Sequence, residues 1–67
     1  MMKLIINGKT EEFEDKITLE KLLDKLDIKE QVMAAAVNME IVKQNSWDSH
    51  QLYDMDKIEL LDFVGGG

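Results

Sequence analysis

A single run in this sequence has the spacing of an amphipathic helix, and it limits what the rest can become. In "TLEKLLDKLDI", Leu19, Leu22, Leu23 and Leu26 recur on one helical face. Thr18 can accept a hydrogen bond from a first-turn amide, Glu20 favours the positive helix end, and Ile17 can staple to Leu22. The reciprocal capping box is missing, because Lys21 stands where Glu or Gln would reach back. The spacing predicts a helix at about residues 19 to 28. A lone helix with one apolar stripe cannot bury that stripe against itself, so the flanking segments must supply a sheet.

Those segments read as extended. "KLIING" and "KTEEFE" meet at Asn7-Gly8, the dipeptide that best tolerates the positive φ angles of a tight hairpin turn. "VMAAAVN" is apolar on both faces, which a strand tolerates when both sides are covered or one is a docking surface. "EIVKQ" reads as a short following strand, and "NSWDSHQLYDMD" as a loop with a helical turn and isolated apolar anchors. In the last strand, "KIELLDFV", Ile58, Leu60 and Val64 fall on one face, Leu61 and Phe63 on the other.

The order predicts an α+β domain over residues 1–64, a mixed sheet of four to five strands with one helix packed across one face, followed by a flexible glycine tail at 65–67. Leu4, Ile6, Phe13, Leu22, Leu23, Leu26, Ile58 and Leu60 are the expected core. One helix covers one face, which leaves Ile5, Leu61 and Phe63 as an uncovered apolar patch beside the tail. The competing reading makes these three ordinary scattered surface hydrophobes.

Charge excludes some partners. Fourteen acidic residues against eight basic ones, with no arginine, give a net charge of −6. That balance disfavours a phosphate backbone and suits a partner with a basic docking face, although taken alone it is met by carboxylates that merely keep a small protein soluble. Without cysteine there is no disulfide framework, thiolate metal site or thiol nucleophile. The first residues are too short an apolar run for a signal peptide and "VMAAAV" is too short to span a bilayer, so a cytoplasmic protein without membrane contact is expected, monomeric when free. Ser46, Asp48 and His50 in "SWDSH" have the residue types of a hydrolytic triad, but alternate loop positions enforce no triad geometry. Asp54, Asp56 and Glu59 lack the glycine and spacing of a calcium loop and read as turn-forming carboxylates. Trp47 and Tyr53 are expected to pin the long loop to the body.

The chain closes on "DFVGGG". Glycine loses the most backbone freedom on ordering and buries no side chain, so Gly65, Gly66 and Gly67 are not there to hold a fold together. Taken together, "LIING", "TLEKLLDKL", "AVN", "EIV", the tryptophan in "SWDS" and "DMDKIELLDFVGGG" resemble the ThiS-type sulfur carrier proteins of thiamine (thiazole) biosynthesis, which are ubiquitin-like β-grasp proteins. The resemblance covers essentially the whole chain. Its most specific part is an apolar last strand running straight into glycines.

The resemblance implies a carrier and not a catalyst, with no catalytic residue, metal or bound cofactor of its own. A ThiF-type adenylating enzyme uses MgATP to convert the Gly67 carboxylate to an acyl adenylate. Sulfur from a cysteine desulfurase or rhodanese-like donor then leaves a thiocarboxylate on Gly67, and a ThiG-type thiazole synthase accepts that sulfur. Gly65 and Gly66 enter the partner's active site, and Ile5, Leu61 and Phe63 dock. The chain has no phosphate-cradling glycine loop with a lysine, in keeping with ATP being bound by the partner. Related alternatives are a carrier for molybdopterin or for cysteine or homocysteine synthesis, and a ubiquitin-like modifier.

Three departures from the family pattern stand out. Asn38-Met39 and Asp54-Met55-Asp56 place methionine where relatives often carry turn glycines, and Lys43-Gln44 replaces a frequent Pro-Arg. Either those two turns differ here, or a left-handed methionine is tolerated at a cost of about 1 kcal/mol. The glycine tail yields a first expected outcome. Gly66→Val folds with an unchanged unfolding midpoint yet fails as an adenylation substrate in a pyrophosphate-release assay, because a Cβ-branched residue does not pass a channel that admits bare backbone. Normal turnover of that variant would sink the channel argument.

Overall fold

The leucine stripe finds its sheet. The computed structural model describes residues 1–62. Five strands, β1 (Met2–Ile6), β2 (Lys9–Phe13), β3 (Val32–Val37), β4 (Glu40–Val42) and β5 (Lys57–Asp62), accompany one helix, α1 (Leu19–Lys25), and two 3-10 turns at Lys29–Gln31 and Gln44–Ser46. The sheet order is β2-β1-β5-β3-β4, so the strand that comes last in the chain sits in the centre. It runs parallel to β1, with Ile6 beside Ile58, and antiparallel to β3, with Val37 beside Ile58. The expected α+β architecture with a mixed sheet is therefore present.

Each local signal has a structural counterpart. Ile6 pairs with Lys9, which leaves Asn7-Gly8 as a two-residue turn with φ of 49° and 85°, the left-handed pair that a tight hairpin requires. A Cβ on Gly8 would meet nothing within 4 Å, so glycine serves the backbone angle there and relieves no crowding. Thr18 caps α1, its Oγ1 accepting from Lys21 N at 3.3 Å, and Ile17 and Leu22 on either side of the cap are both buried. The helix is shorter than the expected 19 to 28. Asp27 turns left-handed at φ 60°, Asp27 N–H bonds to the Asp24 carbonyl and Ile28 N–H to the Leu23 carbonyl. These are the two bonds of a Schellman stop, made here with aspartate in the place glycine usually takes.

Leu4, Ile6, Phe13, Leu22, Leu23 and Ile58 are buried as expected, with Leu26 and Leu60 half-buried against them. The core also takes in Leu19, Val32, Ala35, Val37, Val42, Trp47 and Leu52. Trp47 anchors the long loop as its residue type suggested: its ring is buried and Nε1 donates to the Val42 carbonyl at 2.9 Å. Tyr53 does not share that role. It is 66% exposed, and the adjacent, more apolar Leu52 is the buried anchor instead, with its N–H on the Ile17 carbonyl just ahead of the helix. The loop also serves α1 directly: Leu19 N–H bonds to the His50 carbonyl and Glu20 N–H to the Trp47 carbonyl, satisfying amides that a helix start leaves unpaired.

Asp54 and Asp56 are turn formers. Asp54 Oδ1 accepts from Lys3 N at 2.7 Å, while Asp56 accepts from Tyr53 N at 2.8 Å and from Asn38 Nδ2 at 2.9 Å. Met39 and Met55 keep the left-handed turns that glycine would favour, at φ 72° and 71°, so these turns keep their geometry and carry the strain. A left-handed non-glycine residue costs about 1 to 2 kcal/mol, part of which glycine gives back by widening the unfolded ensemble. Met39→Gly and Met55→Gly are each expected to raise stability by about 0.5 to 1 kcal/mol in urea unfolding. A loss of stability in both would show that these methionines make contacts worth more than the strain they impose.

Candidate functional site

Strand alternation divides the sheet into a core face and an open face. On β5, Ile58 and Leu60 face the core, and Lys57, Glu59 and Leu61 face away from the helix. Ile5 pairs with Lys57 and lies on the same open face, half-buried. Leu61 is 61% exposed and lies beside Ala34. Ile5 and Leu61 therefore share a face but sit four residues apart along the sheet, about 13 Å at strand rise. Phe63, Gly65, Gly66 and Gly67 lie outside the described residues.

Across the sheet, Leu61 is faced by a different apolar residue. Ile41, 73% exposed on β4, pairs with Ala36, and Ala36 pairs with Glu59. Ala34 and Ala36 lie between Ile41 and Leu61 with almost no side chain, and the result is a shallow trough of about 260 Å³ lined by Ala34, Ala35, Ala36, Ile41, Glu59, Leu60 and Leu61. The register shifts by one residue between Val32 and Ala34, which makes Met33 the extra residue of a bulge and leaves it 63% exposed. Ile41 escaped the sequence reading because "EIV" is too short to show alternation. The doubly apolar "VMAAAV" was the available signal: Val32, Ala35 and Val37 are buried, and Ala34 and Ala36 floor the trough.

The end of β5 lies at one pole of the sheet. Because β1 is parallel to β5, its hairpin turn at Asn7-Gly8 stands at that pole, and Val32 pairs with Asp62 there on the other side. Asn7 N–H bonds to the Ile58 carbonyl at 2.9 Å, and Asn7 Oδ1 accepts from Leu60 N at 2.9 Å. At the opposite pole Asn38 does the same for the strand's start, its Oδ1 accepting from Lys57 N at 3.0 Å and its own N–H bonding to the Lys57 carbonyl at 2.8 Å. Two asparagine amides thus hold the two ends of β5 from opposite sides.

Charged side chains pair around this frame. Lys29, just before β3, pairs with Glu20, and that hydrogen bond holds its ammonium above the ordinary lysine value. Lys25 pairs with Glu14 at 3.2 Å, tying the end of α1 to the segment after β2. Among the described residues no group of three or more His, Asp or Glu side chains is placed to hold a metal, and no helix is long and apolar enough to cross a membrane. The face offers shape and apolar area for docking, and the strand offers a fixed starting point for the residues after 62.

Comparison with known proteins gives this geometry a context. A model of the ThiS family matches residues 4–67. A thiazole synthase of Paramagnetospirillum magneticum is 39% identical over 66 residues, covering 98% of this chain but only 20% of its own length. The sulfur carrier protein ThiS of Escherichia coli is 30% identical over 66 residues, covering 98% of this chain and all of its own. The crystal structure of the thiamine biosynthesis protein ThiS from Geobacter metallireducens superposes with a TM-score of 0.83 at 30% identity, over 98% of this chain and 100% of that one. With the family model matching residues 4–67 and the fold superposing at a TM-score of 0.83, the chain belongs to the ThiS family and has its ubiquitin-like β-grasp fold.

Proposed function

We propose that this protein is a sulfur carrier of thiamine biosynthesis whose working group is the carboxylate of Gly67. The observation that carries the reading is the family match extending through the glycines, on a sheet whose central strand leads into them. A carboxylate resists nucleophiles because it is anionic and its oxygen leaves poorly, so it must first be activated. A ThiF-type partner supplies MgATP, the carboxylate oxygen attacks the α-phosphorus, and pyrophosphate leaves. A persulfide sulfur from a cysteine desulfurase or rhodanese-like donor then displaces AMP, and a thiol cleaves the resulting acyl disulfide to the thiocarboxylate. The carrier is a co-substrate in this scheme, and its fold presents the tail without taking part in the bond changes.

The acceptor is a ThiG-type thiazole synthase. The match between this chain and one fifth of a protein named thiazole synthase supports that partner, since a segment like this one is joined to the enzyme there. Docking uses the open face, where Leu61, Ile41 and the alanine trough between them give the apolar contact, and Ile5 extends it further along the sheet. The net charge of −6 draws a basic partner surface toward it.

The deciding experiment is mass analysis of the C-terminal fragment after incubation with MgATP, a ThiF-type enzyme and a persulfide donor. The expected result is replacement of one oxygen by sulfur on the fragment ending at Gly67, reversed by hydrolysis. Locating the shift on that fragment separates it from methionine oxidation, which adds nearly the same mass. A branched lysine adduct would mark a modifier instead, and an unmodified tail would overturn the carrier reading.

Docking has its own test. Leu61→Thr and Ile41→Thr are strand-compatible changes at exposed positions, so each leaves stability within about 0.5 kcal/mol. Each is expected to weaken binding to the adenylating partner by about tenfold, the loss of one partly buried aliphatic side chain. Wild-type affinity also falls as salt rises, through screening of the acidic surface. Unchanged binding in both variants would remove the trough from the interface.

A further inference from the structure

We propose that Asn7 is a positioning residue for the tail chemistry: its side-chain amide stands in for a missing peptide group and fixes the direction in which the last strand leaves the sheet. The proposal rests on the carrier reading. It concerns a residue that neither the glycine motif nor the docking face includes.

The backbone of β1 can hold β5 only as far as β1 extends. Its parallel ladder runs from Ile5 N–H on the Asp56 carbonyl at 3.0 Å to Asn7 N–H on the Ile58 carbonyl at 2.9 Å. There the chain reverses into the Asn7-Gly8 turn and runs back as β2. The next inward-facing amide of β5, Leu60 N–H, would have no strand partner on that side. Asn7 Oδ1 accepts it at 2.9 Å, and Asn7 Nδ2 approaches the Leu60 carbonyl at a longer 3.5 Å. One side-chain amide thus presents to a single residue the acceptor and the donor that two successive peptide groups of a longer β1 would have supplied.

Leu60 lies two residues before the end of β5. After Leu60, β5 is paired only on its β3 side, at Leu61 with Ala34 and at Asp62 with Val32, and the register shift falls between those pairs. The β3 side of the exit is therefore the irregular one, and the Asn7 amide is the last tether on the β1 side among the described residues. Gly67 stands seven residues beyond Leu60 in the sequence. That is a reach of at most about 25 Å, measured from wherever Leu60 is held, so slack at Leu60 enlarges the volume over which the carboxylate is spread. In-line attack on a phosphorus atom tolerates little such spread.

The turn makes the residue choice specific. Position 7 has φ 49°, which glycine, asparagine and aspartate accept most readily. Asn7→Gly therefore keeps the turn and removes only the amide. Asn7→Asp keeps the oxygen that accepts from Leu60 N–H.

The test uses the full chain as substrate of a ThiF-type adenylating enzyme with MgATP, following pyrophosphate release while carrier concentration is varied. Asn7→Gly is expected to lower kcat on the order of tenfold with KM unchanged, because docking is intact and delivery of the carboxylate is not. Asn7→Asp restores most of kcat. A residue that merely supported the fold would behave differently: loss of folded carrier raises apparent KM and leaves kcat alone. In parallel, hydrogen exchange in Asn7→Gly quickens at the Leu60 amide while the Leu22 amide in α1 stays protected. Unchanged kcat in Asn7→Gly, or a change confined to KM, overturns the role of Asn7 while the carrier reading stands. A wild-type chain that the enzyme does not adenylate overturns both.

Discussion

Everything in this structure depends on the insertion of β5 between β1 and β3. The sheet consists of two antiparallel hairpin pairs, β1 with β2 and β3 with β4, and no strand of one pair bonds to a strand of the other. β5 joins them, parallel to one and antiparallel to the other. The core face is continuous under α1 only once that strand is in place, because Ile58 and Leu60 bridge Leu4 and Ile6 on one side to Ala35 and Val37 on the other. Closing the longest loops in the chain is therefore a condition of having a core at all. The same arrangement gives a carrier a tail-bearing strand that is bonded on both sides as far as Leu60.

The polar groups that secure this insertion are mostly neutral or short. Asparagine amides grip β5 at both ends, and aspartates at 54 and 56 accept backbone amides in the turn that leads into it. A carboxylate accepting a backbone N–H works over one hydrogen-bond length and at any ionic strength that leaves the fold intact, whereas exposed lysine pairs contribute little and are screened. The surplus of acidic side chains is thereby partly absorbed into turns, and the remainder is free to set the long-range field that a basic partner would meet.

Local structure was legible in the residues wherever one short-range rule decided it. Asn7-Gly8 gave the hairpin, and Thr18 with its buried staple gave the helix start, because turn angles and caps are settled within a few residues. The end of α1 was less legible, since Asp27 occupies a left-handed position that composition alone assigns to glycine. The central place of β5 and its parallel pairing were not readable from alternation at all, because pairing partners are chosen by the whole core. The open face shows the same division. Leu61 was visible as an odd apolar residue in its strand, while Ile41 became its counterpart only through the β3 register, and Ile5 turned out to stand well along the sheet from Leu61. Of the neighbours Leu52 and Tyr53, the more apolar Leu52 turns inward, with its N–H on the Ile17 carbonyl, and Tyr53 keeps its hydroxyl-bearing ring outside.

The distribution of backbone strain obeys the same geometry. Both left-handed methionines stand at the pole where β5 begins: Met39 comes directly after Asn38, which bonds to Lys57, and Met55 precedes Lys57 by two residues. At the pole where β5 ends the turn is Asn7-Gly8, whose residues accept their angles readily. A strained turn at the start of β5 is held by the Asn38 and Asp56 bonds, and any looseness there is taken up before the strand enters the sheet. Looseness at the other end has no such buffer, because the strand ends there at Asp62. Methionine is therefore tolerable at positions 39 and 55 for a reason that does not extend to the Asn7-Gly8 turn. A presenting strand can accept poor geometry behind it, but the turn beside its exit has to be one the backbone adopts without cost.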